Sequence, residues 1–167
     1  MRARLVALAL LAGACGPFGG VQSGASLCAL VPEDEVVAAL GVVVVEVAPV
    51  AGDHPSCRWS GASGPDGLPR TLSADLWRNG ALRRSAPGMS GTAFFESELQ
   101  RLERDFTRTR VLGGLGEAAV YGFGDITEER FTGGIIVRDE GDVLSLRIAG
   151  ADPAAFEDVA RRIAAAM

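Results

Sequence analysis

The apolar positions of this chain change period several times, and each change marks an element. Val36, Val37 and Leu40 fall on one helical face, which predicts a helix over residues 32–40. Pro32 suits its first position, where a missing N–H costs nothing. Glu33, Asp34 and Glu35 place negative charge at the positive end of the dipole, and Gly41 is the expected stop. A β-branched run then predicts a strand over 42–47, buried on both faces at its start and limited by Pro49. Residues 51–55 read as a turn, and residues 56–60, with Cys57 and Trp59, read as a strand. Residues 61–69 (GASGPDGLP) are a loop. Over residues 70–78 the pattern alternates strictly: Leu72, Ala74 and Leu76 lie on one face, and Thr71, Ser73, Asp75 and Trp77 on the other. That is a half-buried strand.

The second half repeats the sequence of periods. Residues 79–91 form a polar connection, after which Thr92 is placed to cap a helix. Phe95, Leu99, Leu102 and Phe106 recur at helical spacing, with Glu98, Arg101, Glu103 and Arg104 on the wet side. Residues 111–116 (VLGGLG) are a turn-rich entry to a strand over 118–123. Strands over 130–138 and 143–148 are joined by Asp139-Glu140-Gly141-Asp142, a hairpin turn with Gly where φ is positive. Asp152 caps and Pro153 opens a last helix, with Phe156, Val159, Ala160 and Ile163 toward the core. The expected order is α-β-β-β-α-β-β-β-α, an α+β fold with a mostly antiparallel sheet, in one domain over 27–167. Each half is a helix followed by three strands. That form suggests an ancient duplication, although identity between the halves is too low to support it.

The first residues, MRARLVALALLAGAC, follow a different logic. Arg2 and Arg4 precede an apolar stretch over residues 5–11 that is too short to span a bilayer. Ala12, Gly13 and Ala14 follow, and then Cys15. The stretch resembles a bacterial lipoprotein signal, with residues 1–14 removed and Cys15 diacylated; Ala12 stands where Leu is commoner. An ordinary secretory signal cut near Ala14 and a first core element are the alternatives. Three cysteines make an odd count. With Cys15 lipidated, Cys28 and Cys57 remain as an even pair in an oxidising compartment, where they are expected to form a disulfide. Residues 15–26 then form the lipidated cysteine and a flexible Gly/Ser tether.

Charge narrows the partners. All 16 basic residues are Arg, against 21 acids. Removal of residues 1–14 would leave 14 Arg and 21 acids, a balance of −7. An acidic chain lacks the basic footprint of nucleic-acid binding and does not adhere unaided to anionic lipid.

Cys-Ala-Leu-Val-Pro-Glu from Cys28, Leu40-Gly41, Cys57-Arg58-Trp59 and Gly114 to Ala118 occur in an order that resembles the DUF3558 group of actinobacterial lipoproteins. Val31 departs from the pattern, standing where a capping Thr or Ser is expected. The resemblance implies a place in the cell envelope and a fold. It implies no chemistry.

No catalytic constellation is evident. His54, the single histidine, lies between Asp53 and Pro55 and reads as a turn residue. Ser90, in Gly-Met-Ser-Gly, lacks the spacing of a nucleophile elbow. Gly113, Gly114 and Gly116 precede a strand, unlike a phosphate loop. Asp125, Glu128 and Glu129, and likewise Asp139, Glu140 and Asp142, follow no EF-hand pattern. Cys28 and Cys57 lack zinc-ligand spacing. Trp59 and Trp77 are the candidate lining of a ligand groove, although a Trp beside a disulfide is more often core. The expectation is a non-catalytic binding or accessory module, without cofactor or metal. Its partners would be the membrane, through Cys15, and an envelope protein or apolar ligand. The alternatives are a carrier of an apolar envelope ligand in a cavity between sheet and helices, and a hydrolase using Ser90 or His54.

Overall fold

The structure, a computed structural model, describes residues 23–85, 88–124 and 130–167. Its elements are α1 (Gly24–Ala29), α2 (Glu33–Leu40), β1 (Val44–Pro49), β2 (Ser56–Ser63), β3 (Pro69–Trp77), α3 (Asn79–Ser85), α4 (Gly91–Asp105), β4 (Arg108–Val111), β5 (Ala118–Phe123), β6 (Phe131–Asp139), β7 (Asp142–Gly150) and α5 (Pro153–Ala164). The strands form one antiparallel seven-stranded sheet in the order β1-β2-β3-β7-β6-β5-β4. Two meanders therefore meet at their last strands, β3 against β7. The α+β class and the antiparallel sheet are as expected, with α1, α3 and β4 added to the anticipated order.

Alternation along the strands divides the sheet into two unlike faces. Leu72, Ala74 and Leu76 of β3 are fully buried with Leu144, Leu146 and Phe156, under α1, α2 and α5. The second face carries a smaller cluster, in which Phe95 and Leu102 of α4 pack on Ile136 and Val143. Helix α4 lies against β5, β6 and β7. Over β2 and β3 the same face stays exposed or half-exposed at Arg58, Ser60, Thr71, Ser73 and Asp75. The sheet is thus covered on one face and half-covered on the other.

Local chemistry explains the elements. Gly41 ends α2 in the left-handed conformation at φ 72°, while Pro32 takes the N-cap position with no side-chain cap. At the β6–β7 turn Glu140 and Gly141 both have positive φ, 47° and 85°, as a two-residue primed turn requires. Asp152 accepts the N–H groups of Ala154 and Ala155 at the start of α5. Gly91, first in α4, packs so closely on the hairpin that an added Cβ would lie 2.0 Å from the Gly141 carbonyl oxygen.

Several expectations need correction. The tether does not extend to Ser26: Ser23 caps α1 and forms a reciprocal capping box with Ser26. The valine run is not buried on both faces, because β1 is a sheet edge, with Val43 and Val45 each 65% exposed. The 61–69 loop is shorter, since β2 runs to Ser63 and β3 starts at Pro69. Within the polar 79–91 connection lies α3, in which Ala81 and Leu82 are buried, too few for a readable apolar period. Ser90, not Thr92, caps α4; Thr92 instead accepts a hydrogen bond from Arg138. Strand β4 was hidden because all four of its residues are exposed.

Tyr121, the only tyrosine, yields a prediction on pH. Burial pushes its hydroxyl up to about 12, partly opposed by the Arg110 guanidinium and reinforced by Glu157 and Asp152. Its hydroxyl has no hydrogen-bond partner among the described residues. A folded value above the unfolded one means that the contribution is whole below pH 10 and is lost as pH rises through 12. Tyrosinate absorbance should therefore rise together with unfolding. Tyr121→Phe should remove this alkaline loss and leave the neutral melt unchanged or up to about 1 kcal/mol more stable.

Candidate functional site

The half-covered face creates a groove of about 670 Å³ between α4 and the open part of the sheet. Strand alternation supplies its floor: Asp75 of β3 pairs directly with Ser145 of β7, and Ser73 with Arg147. Helix α4 supplies one wall through Phe94, Glu98, Arg101 and Asp105, with Phe106 just beyond its end. His54, from the β1–β2 connection, and Trp77, from the end of β3, close one end.

The rim is aromatic. His54 stacks on Trp77 with ring centroids 3.5 Å apart, and Phe94 meets the same indole at 5.0 Å. His54 Nε2 lies 3.3 Å from Asp75 Oδ1, and the Ser56 hydroxyl donates to that oxygen at 2.5 Å. The carboxylate therefore stands between serine and imidazole. An acyl-transfer triad needs the imidazole in the middle, where it can accept the hydroxyl proton. Here Ser56 is buried and its proton already points to Asp75. This cluster fixes the rim and holds the His54 ring against Trp77.

The charges of the groove are largely paired with one another. Arg101 bridges Glu98 at 3.1 Å, and Arg147 bridges Asp105 at 3.2 Å while lying over the Phe106 ring. Glu98 is 6% exposed and lines the groove from α4. At the rim His54 Nδ1 is buried without a partner among the described residues, and two groups on the floor open to the groove unpaired among them. One is the hydroxyl of Ser145, a residue 7% exposed, and the other is Asp75 Oδ2.

The structure separates the residues singled out in the sequence. Cys28 in α1 and Cys57 in β2 are bonded, with Cα atoms 5.3 Å apart. Trp77 lines the groove. Trp59 does not: it is 2% exposed on the opposite face, since it points the same way as Cys57 toward α1. His54 is no mere turn residue but part of the groove rim. Ser90 Oγ accepts the Ala93 N–H as the cap of α4, and neither it nor His54 touches the other. Gly114 and Gly116 have positive φ and form turns. Asp142 binds Arg78 at 2.5 Å and the Asn79 N–H at 2.8 Å, a structural use of the hairpin acids. Cys15, Asp125, Glu128 and Glu129 lie outside the described residues. Among the described residues no three His, Cys, Asp or Glu side chains converge as a metal site.

Sequence reasoning overlooked Asp75, Glu98, Ser145 and Arg147. A signal existed for the last two. Ser145 and Arg147 interrupt the apolar run Val-Leu-Ser-Leu-Arg-Ile of a central strand. A polar residue there marks the face that faces a cleft. Nothing marked which half of that face α4 would leave open. No family model, curated protein or solved structure matches this chain.

Proposed function

We propose that this chain is a lipid-anchored, extracytoplasmic, non-catalytic binding module of the cell envelope, and that the groove beside α4 is its binding site. The observation that carries the site is the Asp75–Ser145 pair, an unpaired acceptor and an unpaired hydroxyl on the floor of an open cleft. Both groups open onto the cleft with hydrogen-bonding capacity that the described residues leave unused, and at the rim His54 Nδ1 is buried without a partner among them, so the cleft offers polar groups to an external occupant. The anchor rests on Cys15 and the short apolar segment before it. The exported location rests also on the Cys28–Cys57 bond, since disulfides persist in oxidising compartments. Similarity to DUF3558 lipoproteins points the same way. No helix among the described residues is long and apolar enough to cross a membrane.

The groove favours a polar occupant over an apolar one. An acyl chain laid on Asp75, Arg101 and Arg147 would strip water from three charged groups and return no hydrogen bonds. A catalytic role finds no support in the Ser56–Asp75–His54 order.

The test is crosslinking from the groove in intact cells. A photoreactive residue at Arg101, 58% exposed on the α4 wall, should give a discrete adduct. The same residue at Val111, 80% exposed on β4, should not. Equal labelling from both positions, or none from Arg101, would contradict the assignment.

A further inference from the structure

We infer that the groove takes a neutral, polyhydroxylated ring, the chemistry of a saccharide unit; this rests on the reading of the groove as the binding site. Four observations select the class. First, each arginine already has a carboxylate partner: Arg101 with Glu98 and Arg147 with Asp105. An anionic ligand would meet a lining of three acids, Asp75, Glu98 and Asp105, against these two arginines. Second, a cation drawn to Asp75 Oδ2 and the Ser145 hydroxyl would face both guanidinium groups. Third, an apolar ligand would desolvate the charged wall without compensation.

The fourth observation is positive. The unused hydrogen-bonding capacity is mixed in sign and closely spaced. Asp75 Oδ2 is an acceptor, and the Ser145 hydroxyl opposite it is both donor and acceptor. One strand repeat further, Arg147 keeps N–H groups not used by Asp105. A hydroxyl both donates and accepts, so a ring bearing hydroxyls on successive carbons matches such a row where a fixed-sign ligand does not. At the same end the half-buried Trp77, with His54 stacked on its indole, and Phe94 give the groove an apolar edge for the C–H side of the ring. The groove is open at the surface and runs along α4 from Phe94 to Phe106, a shape that admits several linked units.

Tryptophan emission reads this directly. Trp77 lies in the groove, and Trp59, the other tryptophan, is buried on the far face and serves as an internal reference. The full-length protein is titrated separately with cellotetraose, maltotetraose, chitotetraose, inorganic phosphate and 1-octanol. At least one oligosaccharide should give a saturable change at Trp77 with Kd of about 1 mM or below. Trp77→Ala should abolish the change. Ser145→Ala, a small truncation that leaves the charge pairs in place, should weaken binding about tenfold as read by calorimetry, with an unaltered melt showing that it folds. A saturable response to phosphate or octanol alone would overturn the saccharide assignment and leave the groove a binding site. No response to any probe would overturn the saccharide assignment, while crosslinking from Arg101 decides independently on the groove.

Discussion

Loss of the Cys28–Cys57 bridge should lower the melting temperature by about 10 °C. The bond joins residues 29 apart in sequence. Closing a loop of that length removes unfolded-state entropy equivalent to about 3–4 kcal/mol in the chain-entropy model. For a domain of this size each kcal/mol moves the melt by roughly 2–4 °C. The position of the bridge concentrates the effect. Cys57 is fully buried in β2, and Cys28 belongs to α1, a helix of six residues. Helices that short are not stable alone. The bridge, Leu27 beneath it and the Ser23–Ser26 capping box hold α1 against β1 and β2. Reduction should accordingly release α1 first, with amide exchange rising in α1 and β1 below the global melt. Thermal denaturation with and without reductant measures the first effect and hydrogen exchange the second. An unchanged melt in reductant would show that the bridge is not a clamp.

Phe156→Ala should cost about 3–5 kcal/mol. Phe156 is fully buried in α5 and meets Tyr121 of β5 and Phe131 of β6 at ring-centroid distances of 5.9 and 6.0 Å. Its removal leaves a cavity where α5 seats on the sheet, and the aromatic neighbours are held by strand pairing and cannot collapse into it. Helix α5 also ties the two ends of the domain together. Arg162 donates to the Glu35 carboxylate of α2, and Arg110 of β4 donates to Glu157 at 2.5 Å. These exposed ion pairs contribute little by themselves, so the packed ring dominates. Val111→Ala, at a position 80% exposed, should stay within about 0.5 kcal/mol of wild type. Parallel denaturant curves for the two variants make the comparison.

The fold was legible wherever burial imposed a period. Strand β3 could be read residue by residue because one of its faces is core and the other is not. Helix α5 announced itself with a cap, a proline and an apolar stripe. Elements that bury almost nothing left no period to read, as with α3 and β4. The valine run misled because β-branched residues report strand propensity, not position in the sheet. Nothing in residues 42–47 reveals that β1 is an edge, since that depends on the strand order of the whole chain.

The groove was half legible for a related reason. The polar side of β3 was plain, and Trp77 was on it. That Glu98 is buried, that His54 folds back onto Trp77, and that Asp75 faces Ser145 are consequences of tertiary placement. Residues from the β1–β2 connection, β3, α4 and β7 meet there, and no local pattern joins them. Trp59 looked an equal candidate because the short stretch over residues 56–60 does not show which of its faces is core.

The most direct test of an anchored envelope module is fractionation of cells expressing the wild type and Cys15→Ala, both with the Cys28–Cys57 pair intact. Two or more acyl chains hold a protein stably where one chain is marginal. The wild type should therefore remain with the membrane through an alkaline wash, and Cys15→Ala should move to the soluble extracytoplasmic fraction with its disulfide formed. Equal membrane retention of the two proteins would contradict the account.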